Sequence, residues 1–241
     1  MSAILAVTLC ALAMILVERL RPGRAWPQVS GWSWRALAFT AAQALIVLWA
    51  GSWFRQAPPA GAALASAASV GGEALIGYLA LTFVYYWWHR ARHEIGLLWR
   101  WLHQLHHSAR RIEIVTSFYK HPLEIAANTV LSSLILYAVV GIGPEAASLV
   151  VLFSGLAELF YHWNVRTPHW LGYLIQRPEM HCVHHQGGGR ACNYADLPLW
   201  DLLFGTYENP REFRAACGFS AADEARVPEM LIGRDVLERA P

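Results

Sequence analysis

Long apolar segments separated by short polar ones make up much of this 241-residue chain. The first three apolar segments cover residues 3–17, 34–53 and 70–88. Each approaches the roughly 20 apolar residues that a helix needs to cross a bilayer. A stretch rich in Pro, Ala, Gly and Ser at residues 56–68 predicts a loop before the third segment. The pattern therefore predicts three membrane-spanning helices in the N-terminal part of the chain.

Two further apolar runs cover residues 129–140 and 146–160, and the sequence Gly-Ile-Gly-Pro at residues 141–144 separates them. Glycine and proline favour a tight turn, so these runs predict a helical hairpin. From about Glu208 onward the chain is more charged, which predicts a peripheral helix on the cytoplasmic face. The predicted fold is an all-α, polytopic membrane bundle with about four to five membrane helices.

The composition favours a membrane protein over a soluble one. Hydrophobic residues make up 56% of the chain and charged residues 15%, whereas a soluble domain carries about 25% charged residues. These values argue against a soluble protein with a very large core. The net charge of +2 is too small to indicate that the chain binds nucleic acid.

The basic residues predict how the chain is oriented in the membrane. The connection between the first two predicted spans carries Arg19, Arg21, Arg24 and Arg35, which places it in the cytoplasm. Two more crossings return the chain to that side, where a polar segment carries Arg90, Arg92, Arg100, Arg110, Arg111 and Lys120. Because these arginines follow the first apolar run, we expect a retained span and not a cleaved signal peptide. The predicted location is a bacterial inner membrane.

The eleven histidines all lie between His89 and His185, and eight of them form three clusters with ligand-like spacing. Residues three and four positions apart share one face of a helix, so each cluster directs its imidazoles to one side. Imidazole binds iron, zinc and copper well, and unpartnered buried imidazoles are costly. The pattern predicts a transition-metal site, not separately hydrogen-bonded core histidines. The clusters are His89 and His93; His103, His106 and His107; and His181, His184 and His185.

Other residues near these clusters are weaker candidates. His162 ends the last apolar run, where a polar residue at membrane depth indicates a functional site, and we expect it to be a ligand. Glu158 lies four residues earlier on the same helix face. It could bind the metal, orient a ligand or face the lipid headgroups, and the second role is favoured. His121 could cap a helix or line the site, and His169 is expected at a structural interface.

These clusters and their surroundings resemble the fatty acid hydroxylase or sterol desaturase superfamily of membrane oxygenases. The resemblance covers about residues 75–207, and its elements are specific as an ordered set. They are Tyr86-Trp-Trp-His89-Arg-Ala-Arg-His93, Trp101-Leu-His103-Gln-Leu-His106-His107, His121-Pro-Leu-Glu124, His162-Trp-Asn164, Pro178-Glu-Met-His181-Cys-Val-His184-His185, Asn193-Tyr194 and Trp200-Asp201-Leu-Leu-Phe204-Gly205-Thr206.

The resemblance implies a single domain with a membrane anchor at residues 1–70, a catalytic core at 71–207 and a peripheral cytoplasmic tail at 208–241. A cytoplasmic, histidine-rich helical cap would hold two iron ions, for which zinc could substitute in vitro. Asp201 could accept a histidine N–H and fix its tautomer, or it could cap a helix or form a surface salt bridge. Asn164, Asn193 and Asp196 are further candidates near the site. The implied ligands are His89, His93, His103, His106, His107, His162, His181, His184 and His185.

The implied activity is O2-dependent hydroxylation or desaturation of a lipid. Sterol, hopanoid, fatty acyl, sphingoid and carotenoid substrates remain open, partly because Thr82 and Ala195 replace an aspartate and a glycine that are common in the family. The chain contains no GxGxxG motif and no iron–sulfur cysteine spacing. A separate electron donor, similar to a ferredoxin or a cytochrome, is therefore expected.

Two other functions are compatible with histidine clusters. A membrane zinc hydrolase usually has a general base in a motif such as HExxH. Glu94 follows His93, but the second histidine of that motif is missing. A haem protein or metal carrier would need only about two to four histidines, which leaves the triplets unexplained. The oxygenase is therefore the preferred prediction.

Overall fold

The protein is represented by a computed structural model, which describes residues 3–54 and 69–237. These residues form helices and connecting loops, with no β-strand among them. The first three helices are α1 (Ala3–Leu20), α2 (Trp32–Phe54) and α3 (Val70–Glu94). They contain the three N-terminal apolar runs, so the helical prediction is confirmed there, whereas their crossing of a membrane stays a prediction. The loop predicted at residues 56–68 lies outside the described residues.

The middle of the chain contains two long helices and several short ones. After α3 come α4 (Gly96–Leu98), a π-helical turn (Trp99–His103), α5 (Gln104–Ser108) and a 3₁₀ helix (Ile114–Phe118). The first long helix, α6 (Pro122–Ser133), continues as a π-helical segment (Leu134–Val140), and the second is α7 (Pro144–His162). A turn at residues 141–143 joins these two arms, which together we call the hairpin, and both arms pack against α3.

The C-terminal part forms a cap of short helices over one end of the bundle. These are a 3₁₀ helix (His169–Tyr173), α8 (Pro178–His184), α9 (Pro198–Phe204), α10 (Ala221–Glu224) and α11 (Val227–Leu231). The single peripheral helix predicted after residue 208 is thus replaced by α10 and α11. The reason is local, because Ser220 caps α10 and a proline lies in the first turn of α11.

The turn between α6 and α7 depends on residues that permit a sharp reversal. Gly141 has a φ of +71°, a left-handed conformation that strains residues with a Cβ atom. Two residues later, the Gly143 N–H donates to the Glu73 carboxylate at 2.9 Å. Of the described helices, the two hairpin arms, Pro122–Val140 and Pro144–His162, are long and apolar enough to cross a membrane.

The long helices expose large apolar side chains along their length. Trp34 is 77% exposed, Leu45 is 70% exposed and Val139 is 78% exposed. Soluble monomers rarely expose extended apolar patches. The outer surface of the bundle therefore has the chemistry that contact with lipid tails requires.

Polar contacts fix the bundle at both ends. At one end, Glu73 near the start of α3 binds the turn that precedes α7. At the other end, the Glu18 carboxylate of α1 accepts hydrogen bonds from the backbone N–H groups of Ile114 (3.1 Å) and Asn164 (3.3 Å). Between these ends, α3 and α7 pack through a buried cluster that includes Leu81 and Val150. The second end carries the histidines and the cap.

Candidate metal centre

The nine histidines predicted as ligands come together in two groups. Within each group the candidate ligand nitrogens all lie within 4.8 Å of one another. Among the described residues, neither group includes a carboxylate or a thiol. The five-histidine group consists of His89, His93, His103, His107 and His184, and the four-histidine group consists of His106, His162, His181 and His185.

Each histidine triplet contributes to both groups. In the second cluster, His103 and His107 belong to the five-histidine group, whereas His106 belongs to the four-histidine group. The third cluster shows the same division with the groups exchanged, because only its middle histidine, His184, joins the five-histidine group. Positions i+3 and i+4 point about 100° apart on a helix, so the middle imidazole of a triplet turns toward the other group.

The two groups are adjacent. The rings of His107 and His185, one from each group, stack with centroids 4.1 Å apart and an angle of 17° between planes. The other seven candidate ligands lie on α3, the π-helical turn, α5, α7 and α8, so the centre depends on how these five elements pack together. The arrangement can hold two metal ions side by side.

Backbone carbonyls fix the orientation of four imidazoles. A carbonyl oxygen can only accept a hydrogen bond, so each of these imidazoles carries its proton on Nδ1 when neutral, and its Nε2 lone pair stays available. Nδ1 donates from His89 to the Tyr194 carbonyl (2.7 Å), from His184 to that of Cys192 (2.7 Å), from His162 to that of Glu158 (2.9 Å) and from His106 to that of Tyr119 (3.3 Å).

Glu124 orients a fifth imidazole and was not identified as a functional residue from the sequence. Its carboxylate accepts a hydrogen bond from His103 Nδ1 at 3.0 Å and also pairs with the Arg92 guanidinium. All three side chains are buried. Arg92 therefore lies inside the protein, beside the metal centre, and is not part of a surface for an electron donor. The sequence signal was the His121-Pro-Leu-Glu124 element.

The contacts between imidazoles test whether the site suits a metal ion. Nε2 of His162 lies 3.4 Å from Nε2 of His106, although both atoms carry lone pairs. Nε2 of His181 lies 3.0 Å from Nε2 of both His162 and His185. Two nitrogens bound to one metal at about 2.1 Å, with angles near 90–110°, are roughly 3.0–3.4 Å apart. The donor set therefore fits a transition metal between the rings.

Burial keeps the imidazoles neutral. It lowers the pKa of His103, His107 and His185 well below the usual value, and nearby charges lower it further. Burial also lowers the pKa of His184 to about 4, despite the opposing hydrogen bond to Cys192. Neutral imidazole is the form that binds metal, so these ligands are ready to coordinate at neutral pH.

Asp201 has a different role from the predicted one. Its carboxylate accepts hydrogen bonds from the N–H groups of Tyr194 (2.8 Å) and Ala195 (3.0 Å) and from the Thr206 hydroxyl (2.7 Å). It therefore contacts no histidine N–H directly. Instead, it holds the loop whose Tyr194 carbonyl accepts from His89. The correction has a simple cause, since the loop's own N–H groups are closer to the carboxylate.

Two further candidates act on structure near the site. The Glu158 carboxylate pairs with Lys120, and it is the backbone carbonyl of Glu158, not its side chain, that orients His162. Asn164 exchanges hydrogen bonds with the backbone of Arg24, through Oδ1 (3.0 Å) and Nδ2 (3.0 Å). Asn164 thus joins the end of α7 to the connection after α1 and touches no imidazole nitrogen.

Asn193 and Asp196 also lie outside both histidine groups. Asn193 has a φ of +53°, and its Nδ2 donates to the carbonyls of Met180 (3.0 Å) and Glu208 (2.8 Å), so it fixes the loop after α8. The Asp196 carboxylate accepts a hydrogen bond from the Ser154 hydroxyl on α7 at 3.4 Å.

The two remaining histidines are not in either group. His121 caps α6, because its Nδ1 accepts a hydrogen bond from the Leu123 N–H at 3.0 Å. Of the two roles left open by the sequence, the structure therefore supports the cap. His169 Nε2 contacts the carbonyl of Asn209 at 3.1 Å, in line with the expected interface position.

Comparisons with known proteins identify a family. The family model described as "Fatty acid hydroxylase" matches residues 74–206. Human alkylglycerol monooxygenase is 33% identical over 141 residues, which cover 56% of this chain and 30% of that protein. Ornithine lipid hydroxylase OlsE of Rhizobium tropici is 30% identical over 147 residues, which cover 57% of this chain and 42% of that protein.

A plant protein matches over a similar region. Very-long-chain aldehyde decarbonylase GL1-9 of Oryza sativa subsp. japonica is 28% identical over 141 residues, which cover 55% of this chain and 53% of that protein. The matched region thus corresponds to about a third to a half of the length of these relatives. No solved structure matches. The relatives confirm the resemblance that the sequence motifs indicated.

Proposed function

Because this chain belongs to the fatty acid hydroxylase family, we propose that it hydroxylates or desaturates a lipid with O2 at a histidine-ligated di-iron centre. One observation carries the proposal. Nine imidazoles divide into a group of five and a group of four, and each group converges within 4.8 Å. That is the ligand arrangement that two neighbouring metal ions require. The named relatives include a lipid hydroxylase and a monooxygenase, which supports the reaction class.

In this proposal the chain's own residues hold and shield the reacting metals. The nine imidazoles would bind the metals through ring nitrogens that point into the two groups. Backbone carbonyls hold four of these rings in place, those of His89, His106, His162 and His184. Glu124 holds His103 in the same way. Bound iron supplies the activation of O2 and the removal of hydrogen from an unactivated carbon. The buried position of most of the ligands keeps water away from that chemistry.

The proposal includes a membrane location and a separate source of electrons. α1, α2, α3 and the two arms of the hairpin would cross a bacterial inner membrane, with the histidines on the cytoplasmic side. The substrate would be a lipid that reaches the metals from the bilayer. A ferredoxin-like or cytochrome-like protein would supply electrons, and partly exposed basic residues such as Arg100 would meet it at the cytoplasmic face.

The test combines metal analysis with lipid analysis. Purified protein is expected to contain two iron ions per chain, and cells that carry the gene are expected to contain an oxidised lipid that is missing after deletion. Mass spectrometry of lipids from cells grown under ¹⁸O2 would show a product that carries ¹⁸O if the reaction is a hydroxylation. It would show a product that lacks two hydrogens if the reaction is a desaturation. Zinc in place of iron together with O2-independent lipid turnover would overturn the proposal in favour of a hydrolase, and a haem Soret band would overturn it in favour of a haem protein.

A further inference from the structure

A cavity of about 490 Å³ lies beside the metal centre, between α1, α3, α7 and the loop before α9. This volume is in the range of about 300–1,000 Å³ that is typical of small-molecule sites. Most of its walls are apolar, including Met14, Leu156 and Phe160. The Phe153 ring at its edge is 51% exposed on the apolar surface of α7, so the cavity can be reached from the side of the bundle.

The cavity is one aromatic ring away from the four-histidine group. Tyr161 lines the cavity. Its ring centroid lies 4.5 Å from that of His181 and 4.9 Å from that of His162. A long chain held in the cavity would therefore end close to one of the two proposed metal positions.

Asp196 brings a carboxyl group to this otherwise apolar space. Its side chain is half-buried because it faces the cavity, and the Ser154 hydroxyl donates to it at 3.4 Å. Burial and the charge on Glu158 together raise the pKa of Asp196 to about 7, while the positive charge of Lys120 and the hydroxyls of Ser154 and Tyr161 partly offset these effects. Lys120 acts from outside the cavity, where it pairs with Glu158. Of the described residues that line the cavity, none is basic.

We propose that this cavity binds the apolar chain of an uncharged lipid alcohol and that Asp196 accepts a hydrogen bond from its hydroxyl group. The inference rests on the proposed lipid oxidation, because it assigns the substrate class of the same site. The ionised Asp196 carboxylate repels a carboxylate or a phosphate, and no basic side chain lines the cavity to compensate. An ammonium group would have to lose its water in an apolar space, which costs more than burying a hydroxyl.

The test compares three probes with the same chain: 1-hexadecanol, hexadecanoate and hexadecylamine. Each displaces tritiated 1-hexadecanol from the full-length, iron-loaded protein in nanodiscs, at pH 8. We expect 1-hexadecanol to bind about tenfold more tightly than the other two, the difference that a buried hydrogen bond and an avoided buried charge can supply. Equal affinities for the three probes, or tightest binding of the amine, would overturn the assignment.

Four variants test whether Asp196 and the cavity are responsible for the preference for the alcohol. Asp196→Leu removes the acceptor and should weaken 1-hexadecanol binding about tenfold. Asp196→Asn keeps an acceptor but removes the charge, so it should mainly improve hexadecanoate binding and reduce the preference. Ala157→Trp fills the cavity and should weaken all three probes. Asp223→Asn, far along the chain on α10, is the matched control and should change none of the affinities.

The iron content and thermal unfolding of each variant identify any that do not fold. If Asp196→Leu or Ala157→Trp does not fold, the ranking of the three probes in the wild-type protein and in Asp196→Asn tests the assignment. Lipid analysis of cells that carry the gene, which contain the cellular electron donors, separates the two proposals. An oxidised lipid in those cells without a preference of the purified protein for the alcohol would overturn the cavity assignment alone. The alcohol preference without any oxidised lipid in those cells would overturn the proposed oxidation and leave the binding site in place.

Discussion

The Glu124 carboxylate makes two buried contacts: it neutralises the Arg92 guanidinium and it orients the His103 ring. Glu124→Gln removes the negative charge but keeps the size of the side chain. The amide oxygen of glutamine is a weaker acceptor than a carboxylate, and changing the partner behind a ligand imidazole typically costs 10–100-fold in metal affinity, so we expect the five-histidine group to lose about tenfold. Titration with a competing chelator should show one weakened metal and one unchanged metal per chain.

The matched control for this change is Glu94→Gln. Like Glu124, Glu94 pairs with an arginine of α3, in this case Arg90. The Glu94 side chain is 56% exposed, however, so this pair lies on the surface. Surface ion pairs contribute about 0–1 kcal/mol, so this variant should keep both metals with unchanged affinity. Unchanged affinity in Glu124→Gln as well would show that the Glu124 carboxylate does not support the site.

The two histidine groups predict that single ligand changes affect different metals. His184→Ala removes a ligand from the five-histidine group, and His181→Ala removes one from the four-histidine group. We expect each variant to retain about one metal ion per chain and to lose lipid oxidation, because the proposed chemistry needs both metals. Metal analysis of His169→Ala, a histidine outside both groups, should give two ions. Loss of both metals in each ligand variant would mean that the groups form one inseparable site.

At the residue scale, the sequence predicted which histidines come together better than it predicted the groups that orient them. Spacing pointed to His103, His106 and His107 because the face of a helix on which a side chain lies depends on the helical period, which is a local property. The partners of Nδ1 were not predictable in this way. Four of them are backbone carbonyls, which leave no mark in the side-chain pattern. For Asp201, the sequence left open a histidine contact, a helix cap and a surface salt bridge. Its carboxylate instead binds the loop that carries one of those carbonyls.

At the scale of elements, apolar length predicted the helices, whereas their internal irregularities came from packing. The run at 129–140 was predicted without its first turns, because α6 begins at Pro122 with His121 as its cap. The sequence also gave no sign of the π-helical turn at Trp99–His103, which lies directly before α5. Such turns occur often at functional sites, and this one carries His103.

The hairpin turn offers a test at this scale. Gly141 has a φ of +71°, and a residue with a Cβ atom in a left-handed conformation costs about 1–2 kcal/mol. Gly141→Ala should therefore lower the free energy of unfolding by about that amount. Gly96→Ala is the control, because Gly96 has no positive φ and a Cβ added there would meet nothing within 4 Å. Denaturant unfolding in the same detergent measures both, and an equal loss in the two variants would contradict the strain argument.

At the scale of the whole molecule, the two ends of the helix bundle differ, because one end carries the histidines and the other does not. The Glu73–Gly143 contact joins the start of α3 to the turn before α7. The opposite ends of the same helices carry His89 and His162, and the end of α1 meets them through Glu18. The irregular, polar backbone of the cap is thus confined to one end of the bundle. A bilayer tolerates such backbone only outside its apolar core, so this division agrees with the positive charges predicted on the histidine side.

This division predicts which end of the bundle faces the cytoplasm. The sixteen residues from Glu73 to His89 span roughly 24 Å at about 1.5 Å per residue, close to the apolar thickness of a bilayer, so the hairpin turn and the cap should lie on opposite sides. Glu145 is exposed at the turn, and the Arg214 side chain in the cap is 85% exposed. In a Cys10→Ser background, where the remaining cysteines are buried, a membrane-impermeant maleimide should label Glu145→Cys in intact cells and Arg214→Cys only after lysis.

The reverse pattern would place the metals outside the cytoplasm, away from the proposed electron donors. Labelling of both in intact cells would mean that the hairpin does not cross the membrane, since an impermeant reagent reaches both ends only when both lie on the same outer side.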